Sequence, residues 1–138
     1  MEGFGLLCGH LVGDYVLQND WMAANKCNPM LWNAAYDPEG HSTAYRQEVI
    51  GHLACFVHCL CYTLSVWAFS YQWMPIWGLL VCFALHFPID RFRLAKTWMI
   101  HVSGQKGFAT GPLAPWSFII VDNVFHLVTL YIIGRICL

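Results

Sequence analysis

From about residue 49 to 71 the chain carries no Asp, Glu, Lys or Arg. About 20 apolar residues in a helix span the hydrocarbon core of a bilayer, roughly 30 Å thick. A backbone there must satisfy its own hydrogen bonds, which a helix does. Three other stretches come close to that length, about 4–22, 74–93 and 116–135. The pattern predicts an all-α fold: an integral membrane four-helix bundle with helices at about 4–22, 49–71, 74–93 and 116–135, in a single transmembrane domain covering 1–138. The first helix is the least apolar, with Gly9, His10, Gly13, Asp14 and Gln18 inside it. Pro75 opens the third near its first turn, where a missing N–H costs little.

Composition points the same way. The chain is 58% hydrophobic and 11% charged, against about 45–50% and 25% in an ordinary soluble domain, so it lacks the polar surface to cover a soluble monomer. Seven Lys+Arg against eight Asp+Glu leave a net charge of -1 and no basic stripe, which excludes nucleic acid as a partner. Membrane lipid is the expected partner, and a homo-oligomer is open. Most of the seven cysteines fall inside apolar stretches and no CxxC knuckle occurs. They read as small buried hydrophobes. The N-terminus lacks the basic region and cleavage site of a signal peptide, so the first apolar segment is expected to stay.

Two polar segments, 23–48 and 94–115, join the predicted helices on one side. Lys26, Arg46, Arg91, Arg93, Lys96 and Lys106 collect there and leave Arg135 near the other end. By the positive-inside rule the two loops are cytoplasmic and both termini lie outside. Arg91 and Arg93 can both be read as snorkelling anchors that set this topology, which for Arg93 is the alternative to a contact with substrate. Trp21, Trp32, Trp73, Trp77, Trp98 and Trp116 fall near helix ends, as an interfacial aromatic belt requires.

Three acidic residues fall deep inside the predicted spans, Asp14, Asp90 and Asp122, and each has a histidine four residues away: His10, His86 and His126. Residues four apart share a helix face, and three such pairs by chance is about a one-in-a-thousand coincidence under that spacing. The order inverts when the chain does, His-xxx-Asp in helices one and three and Asp-xxx-His in helix four. Each carboxylate is therefore expected about 6 Å to the cytoplasmic side of its histidine, giving a layer of histidines above a layer of aspartates. Helix two offers His52 and His58, about 120° apart on the helical wheel. Only His58 shares the depth of His126, which makes it the fourth imidazole, with Tyr62 one turn on as an orienting group.

His10, Asp14, His58, His86, Asp90, Asp122 and His126 together make a ligand set for a divalent transition metal, one ion or two sharing a carboxylate. Zinc leads, and Mn, Fe or Ni suit the same donors. The competing reading is that the pairs only hold the bundle together, against which stands the cost of ionisable groups in a membrane. In an enzyme, Asp14, Asp90 and Asp122 are the candidate catalytic carboxylates, with the one least engaged by metal acting as base. Arg93, back on the face of His86, is placed to fork onto a phosphate. Gln18, one turn below Asp14, is a second candidate for contact with substrate. His41 and His101 have no acid at helical spacing and read as solvated.

The blocks GHLVGDYVLQNDWMAANK (9–26), HCLCYTL (58–64), HFPIDRFRLAKTWM (86–99) and VDNVFHL (121–127) resemble an uncharacterised family of small bacterial and phage membrane proteins, grouped as a domain of unknown function (thirty-three-oh-seven). Its His/Asp pattern is distantly similar to that of small inner-membrane proteins labelled metal-dependent hydrolases. The resemblance implies a multi-pass protein of the bacterial inner membrane and carries over His10, Asp14, Gln18, His58, His86, Asp90, Asp122 and His126 as motif positions. The expectation is a metal-dependent hydrolase of a phosphorylated or ester-linked lipid-like substrate. Alternatives are an ion- or proton-handling membrane protein and a phage-type protein that modifies a host membrane complex.

Overall fold

The computed structural model describes residues 2–27 and 44–137. Helices are the only regular elements among them: α1 (Glu2–Leu11), a π-helical turn (Val12–Val16), α2 (Asp20–Asn25), α3 (Ala44–Ser70), α4 (Ile76–Arg91), α5 (Leu94–His101), α6 (Lys106–Thr110) and α7 (Ala114–Cys137). Four of them close into a ring, α1 on α3, α3 on α4, α4 on α7 and α7 on α1. Two helices are long and apolar enough to cross a membrane, over Arg46–Ser70 in α3 and Trp116–Cys137 in α7. The sequence predicts four. With 16 residues, α4 rises only about 24 Å at 1.5 Å per residue.

The first predicted helix does not run unbroken from 4 to 22. Leu17 N–H reaches Val12 O at 3.0 Å, five residues back, and closes the π turn. The chain then leaves helical geometry until Asn19 restarts it, accepting the Met22 N–H on its side chain at 2.9 Å. Asn is a strong residue for that capping role. At the end of α4, Arg93 adopts left-handed backbone (φ 48°, ψ 51°), and α5 starts directly after it. The predicted loop 94–115 thus contains α5 and α6, and α3 begins inside the predicted polar segment 23–48. Trp32 and His41 lie outside the described residues.

Close approach of α1 to α3 rests on glycine. A Cβ on Gly5 would sit 2.6 Å from Phe69 O, on Gly9 2.7 Å from Val66 Cα, and on Gly13 2.8 Å from the Tyr62 ring. The four-residue spacing puts all three on one face, so the helix backbones touch where side chains would hold them apart. Ser65 Oγ uses that proximity to donate to Gly9 O at 2.8 Å.

Burial is inverted relative to a soluble protein. Val49, Leu53, Phe56, Leu60, Leu64 and Trp67 form an exposed apolar stripe along α3, and Ile120, Val124, Val128 and Ile132 form another along α7. His10, His58, His86, Asp90, Arg91 and His126 are buried. An apolar core of Leu6, Tyr62, Val66, Met74, Cys82, Leu130 and Ile133 fills the end of the ring where α1 and α4 start. The polar side chains take the other end. Arg91, expected to snorkel, is instead fully buried, with Nη2 2.7 Å from Glu48 Oε1 and its guanidinium against Gly51, where a Cβ would leave 3.0 Å. A glycine two turns into α3 makes room for that guanidinium, so it pairs inside the fold.

Candidate metal centre

All three i, i+4 pairs close: His10 Nδ1 to Asp14 Oδ2 at 3.2 Å, His86 Nε2 to Asp90 Oδ2 at 3.3 Å, and His126 Nε2 to Asp122 Oδ2 at 3.5 Å. Packing of the ring then brings the pairs onto one another. Asp14 Oδ1, His58 Nε2, His86 Nε2 and Asp90 Oδ2 lie within 4.8 Å of one another. His58 Nε2 stands 3.2 Å from Asp14 Oδ1, 2.9 Å from Asp90 Oδ2 and 3.1 Å from His86 Nε2, and His86 Nε2 stands 3.7 Å from Asp14 Oδ1. Metal bonds of 2.0–2.1 Å in a tetrahedron place the ligand atoms about 3.3 Å apart. The separations bracket that edge.

Asp90 serves two groups. Its Oδ2 belongs to the set just described, whereas Oδ1 lies 3.2 Å from His126 Nε2 in a second cluster, Asp90, Asp122 and His126. A carboxylate divided in this way could offer one oxygen to each of two ions. The expected layers of histidines and aspartates meet as one cluster, because each imidazole reaches its carboxylate across a single helical turn.

His10 stands one shell further out. Its Nε2 donates to Asn123 Oδ1 at 2.8 Å, and Nδ1 lies 3.2 Å from both the Tyr62 hydroxyl and Asp14 Oδ2. Its Nδ1 thus accepts from the Tyr62 hydroxyl beside Asp14 Oδ2, and the other Asp14 oxygen, Oδ1, is buried without a hydrogen bond and turned toward His58 and His86. Tyr62 is the common support, its ring stacked on His86 with centroids 3.7 Å apart. These are the outer contacts that orient ligands in metal sites. His52 is absent from the cluster. Its side chain is half exposed, 3.2 Å from Glu48 and stacked on Phe87.

A residue that the sequence reading assigned only to loop charge sits at the centre. Lys26 Nζ donates to Asp90 Oδ2 at 2.8 Å and lies 3.1 Å from His58 Nε2. Burial alone would lower the pKa of this ammonium, but the Asp90 and Asp14 carboxylates outweigh it and hold the pKa above the ordinary lysine value. No spacing rule points to Lys26, since α2 delivers it across the break after the π turn.

A cavity of about 350 Å³ opens beside the cluster, lined by Asp14, Asp90 and Asp122, by Lys26 and Arg93, by Gln18 and Asn123, and by Phe118 and Ile119 among others. Arg93 stands over the Phe118 ring, 5.4 Å from its centroid. Gln18 Oε1 is buried without a hydrogen bond. Burial pushes the Cys27 thiol up against the opposing pull of Arg93. The π turn carries Asp14, and turns of this kind are frequent at functional sites because they re-aim one side chain within a helix.

No curated protein and no solved structure matches the chain, so the likeness to metal-dependent hydrolases has no support from known proteins. A family model covers almost its whole length, residues 4–137. On that match the chain belongs to DUF3307, a family of proteins of unknown function.

Proposed function

We propose that this chain is a four-helix, multi-pass protein of the bacterial inner membrane, both termini outside, whose His/Asp centre holds one or two divalent ions, zinc first among them. It hydrolyses a phosphorylated or ester-linked lipid-like substrate drawn from the cytoplasmic leaflet. The observation that carries this reading is the convergence of Asp14 Oδ1, His58 Nε2, His86 Nε2 and Asp90 Oδ2 within 4.8 Å of one another, with Asp14 and Asp90 also lining an open cavity. The exposed apolar stripes of α3 and α7 around a polar interior support the membrane part.

An ion held there would supply Lewis acidity and a water nucleophile at neutral pH. The chain's own side chains do the rest. Asp122, at 19% the most exposed of the three carboxylates and on the cavity wall, is the base in this reading. Arg93 and Gln18 hold the anionic head of the substrate, and Phe118 and Ile119 give its apolar part a wall. Purified full-length protein should contain near-stoichiometric transition metal by elemental analysis. In liposomes of bacterial lipid it should release phosphate or fatty acid. Folded protein that works without metal overturns the centre, and metal-loaded protein that yields no product from any lipid overturns the hydrolase.

A second reading has one observation in its favour. Titratable side chains run unbroken from His10 through Asp14, His58, His86 and Asp90 to His126 and Asp122, as in a proton or ion relay. Ion flux without product in the same liposomes would select it.

A further inference from the structure

Lys26 has no part in the reaction just described, yet its ammonium sits within the ligand set. It donates to Asp90 Oδ2 at 2.8 Å and contacts His58 Nε2 at 3.1 Å, two of the four converging atoms. Its side chain is 14% exposed, against 1% for Asp90 and 0% for His58. An unprotonated imidazole nitrogen has a single lone pair, in the ring plane. That lone pair either accepts the Lys26 proton or binds a metal ion. A carboxylate oxygen, with two lone pairs, faces no such choice, so the conflict is located at His58 Nε2.

Charge gives the same answer. The buried carboxylates of Asp90 and Asp14 need a cation nearby, because an unpaired buried charge is costly. The ammonium meets that need when the centre holds no metal. With a divalent ion in place, an ammonium a few ångströms away is repelled by it.

We propose that Lys26 is a resident cation that exchanges with metal: it caps His58 and Asp90 in the empty centre and must withdraw for an ion to load. This rests on the metal reading given above. Withdrawal has a path. Lys26 lines the cavity together with Asp122 and Gln18, and it follows a helix of only 6 residues. An ammonium that swings off Asp90 into the cavity is more open to solvent, and it then stands beside Arg93 as a second cationic group for an anionic substrate.

The test uses full-length protein in detergent, stripped of metal, with Zn²⁺ as the probe. Lys26→Met keeps the length of the side chain without its charge. It should bind Zn²⁺ about tenfold more tightly or better, as removal of a like charge from partly buried surroundings requires. It should also melt lower than wild type without metal and gain more on adding Zn²⁺. A folded Lys26→Met protein with unchanged or weaker Zn²⁺ affinity overturns the exchange. A measurement on wild type does not depend on that variant: acylation of Lys26 by an amine reagent, read by mass spectrometry, should rise several-fold on Zn²⁺ loading. Unchanged labelling of a protein that does bind Zn²⁺ overturns the exchange and leaves the metal centre standing. If neither wild type nor Lys26→Met binds Zn²⁺, the metal reading fails and the exchange fails with it.

Discussion

Asp90 is the side chain on which the polar interior depends, since it meets Lys26, His58, His86 and His126 at 2.8–3.3 Å while almost fully buried. Asp90→Asn keeps the shape but leaves the Lys26 ammonium buried without its closest counter-charge. The expected loss is about 3–5 kcal/mol of stability, together with the bound metal, measured by thermal unfolding and elemental analysis. The two histidines of α3 should separate cleanly. His58→Ala removes a ligand and should abolish metal retention. His52→Ala breaks a half-exposed contact with Glu48 and the stacking on Phe87, and should cost about 1 kcal/mol while leaving metal retention unchanged. Arg93 sits in left-handed backbone that glycine adopts freely. Arg93→Gly should therefore relieve about 1–2 kcal/mol of strain while weakening substrate use. Arg93→Lys should spare metal content and still weaken substrate use, because an ammonium lacks the guanidinium fork. Equal substrate use in both variants would remove Arg93 from the site.

At the scale of the element, the contact of α1 with α3 decides where Asp14 goes. Gly5, Gly9 and Gly13 stand at four-residue spacing, of which the sequence alone marks Gly9 and Gly13 only as making the first helix less apolar. The same spacing is a recognised device for close helix contact. Gly9→Ala places a Cβ 2.7 Å from Val66 Cα, a backbone atom that cannot swing aside. It should cost about 1–3 kcal/mol, the range for overpacking. Gly3→Ala is the control, because a Cβ there meets nothing within 4 Å and helix propensity alone favours it. Equal melting temperatures for the two variants would show that α1 does not pack on α3 in this register. The break after the π turn is also an element-level matter. It releases the chain so that Asn19 can cap α2 and α2 can deliver Lys26 back to Asp90, whereas an unbroken helix to residue 22 would carry that segment away from the ring.

For the molecule as a whole, the exposed apolar stripes make a prediction that separates membrane from water. Leu64 is 53% exposed on α3. On a soluble protein Leu64→Glu would change stability by about 0.5 kcal/mol or less. Facing lipid it should cost on the order of 2–3 kcal/mol and reduce the amount recovered in the membrane fraction. Topology needs engineered labels, because burial raises the Cys27 thiol and makes it a slow reporter. Gln72→Cys and Gln105→Cys stand at exposed turns, one after α3 and one before α6. If the basic segments are cytoplasmic, an impermeant thiol reagent should label the first in intact cells and the second only after permeabilisation. The reverse pattern would invert the chain in the membrane.

Much of this was legible without coordinates. Runs of apolar residues determine an all-helical chain, because helical backbone is satisfied within its own segment wherever side chains exclude water. Spacing of four determines that His10 meets Asp14, His86 meets Asp90 and His126 meets Asp122, because the contact is local to one helix face. The block pattern was enough to identify the family. What spans several elements had to wait for the packing. That Asp90 divides its oxygens between two clusters depends on how α3, α4 and α7 are placed around it. His10 stands one shell out because Tyr62 and Asn123, brought in by α3 and α7, hold its ring. Arg91 is buried because Gly51 leaves space on another helix. Lys26 reaches the centre through a capped break and a six-residue helix. Periodicity describes one helix at a time; a site assembled between helices is specified by their contacts, and those form only in the folded ring.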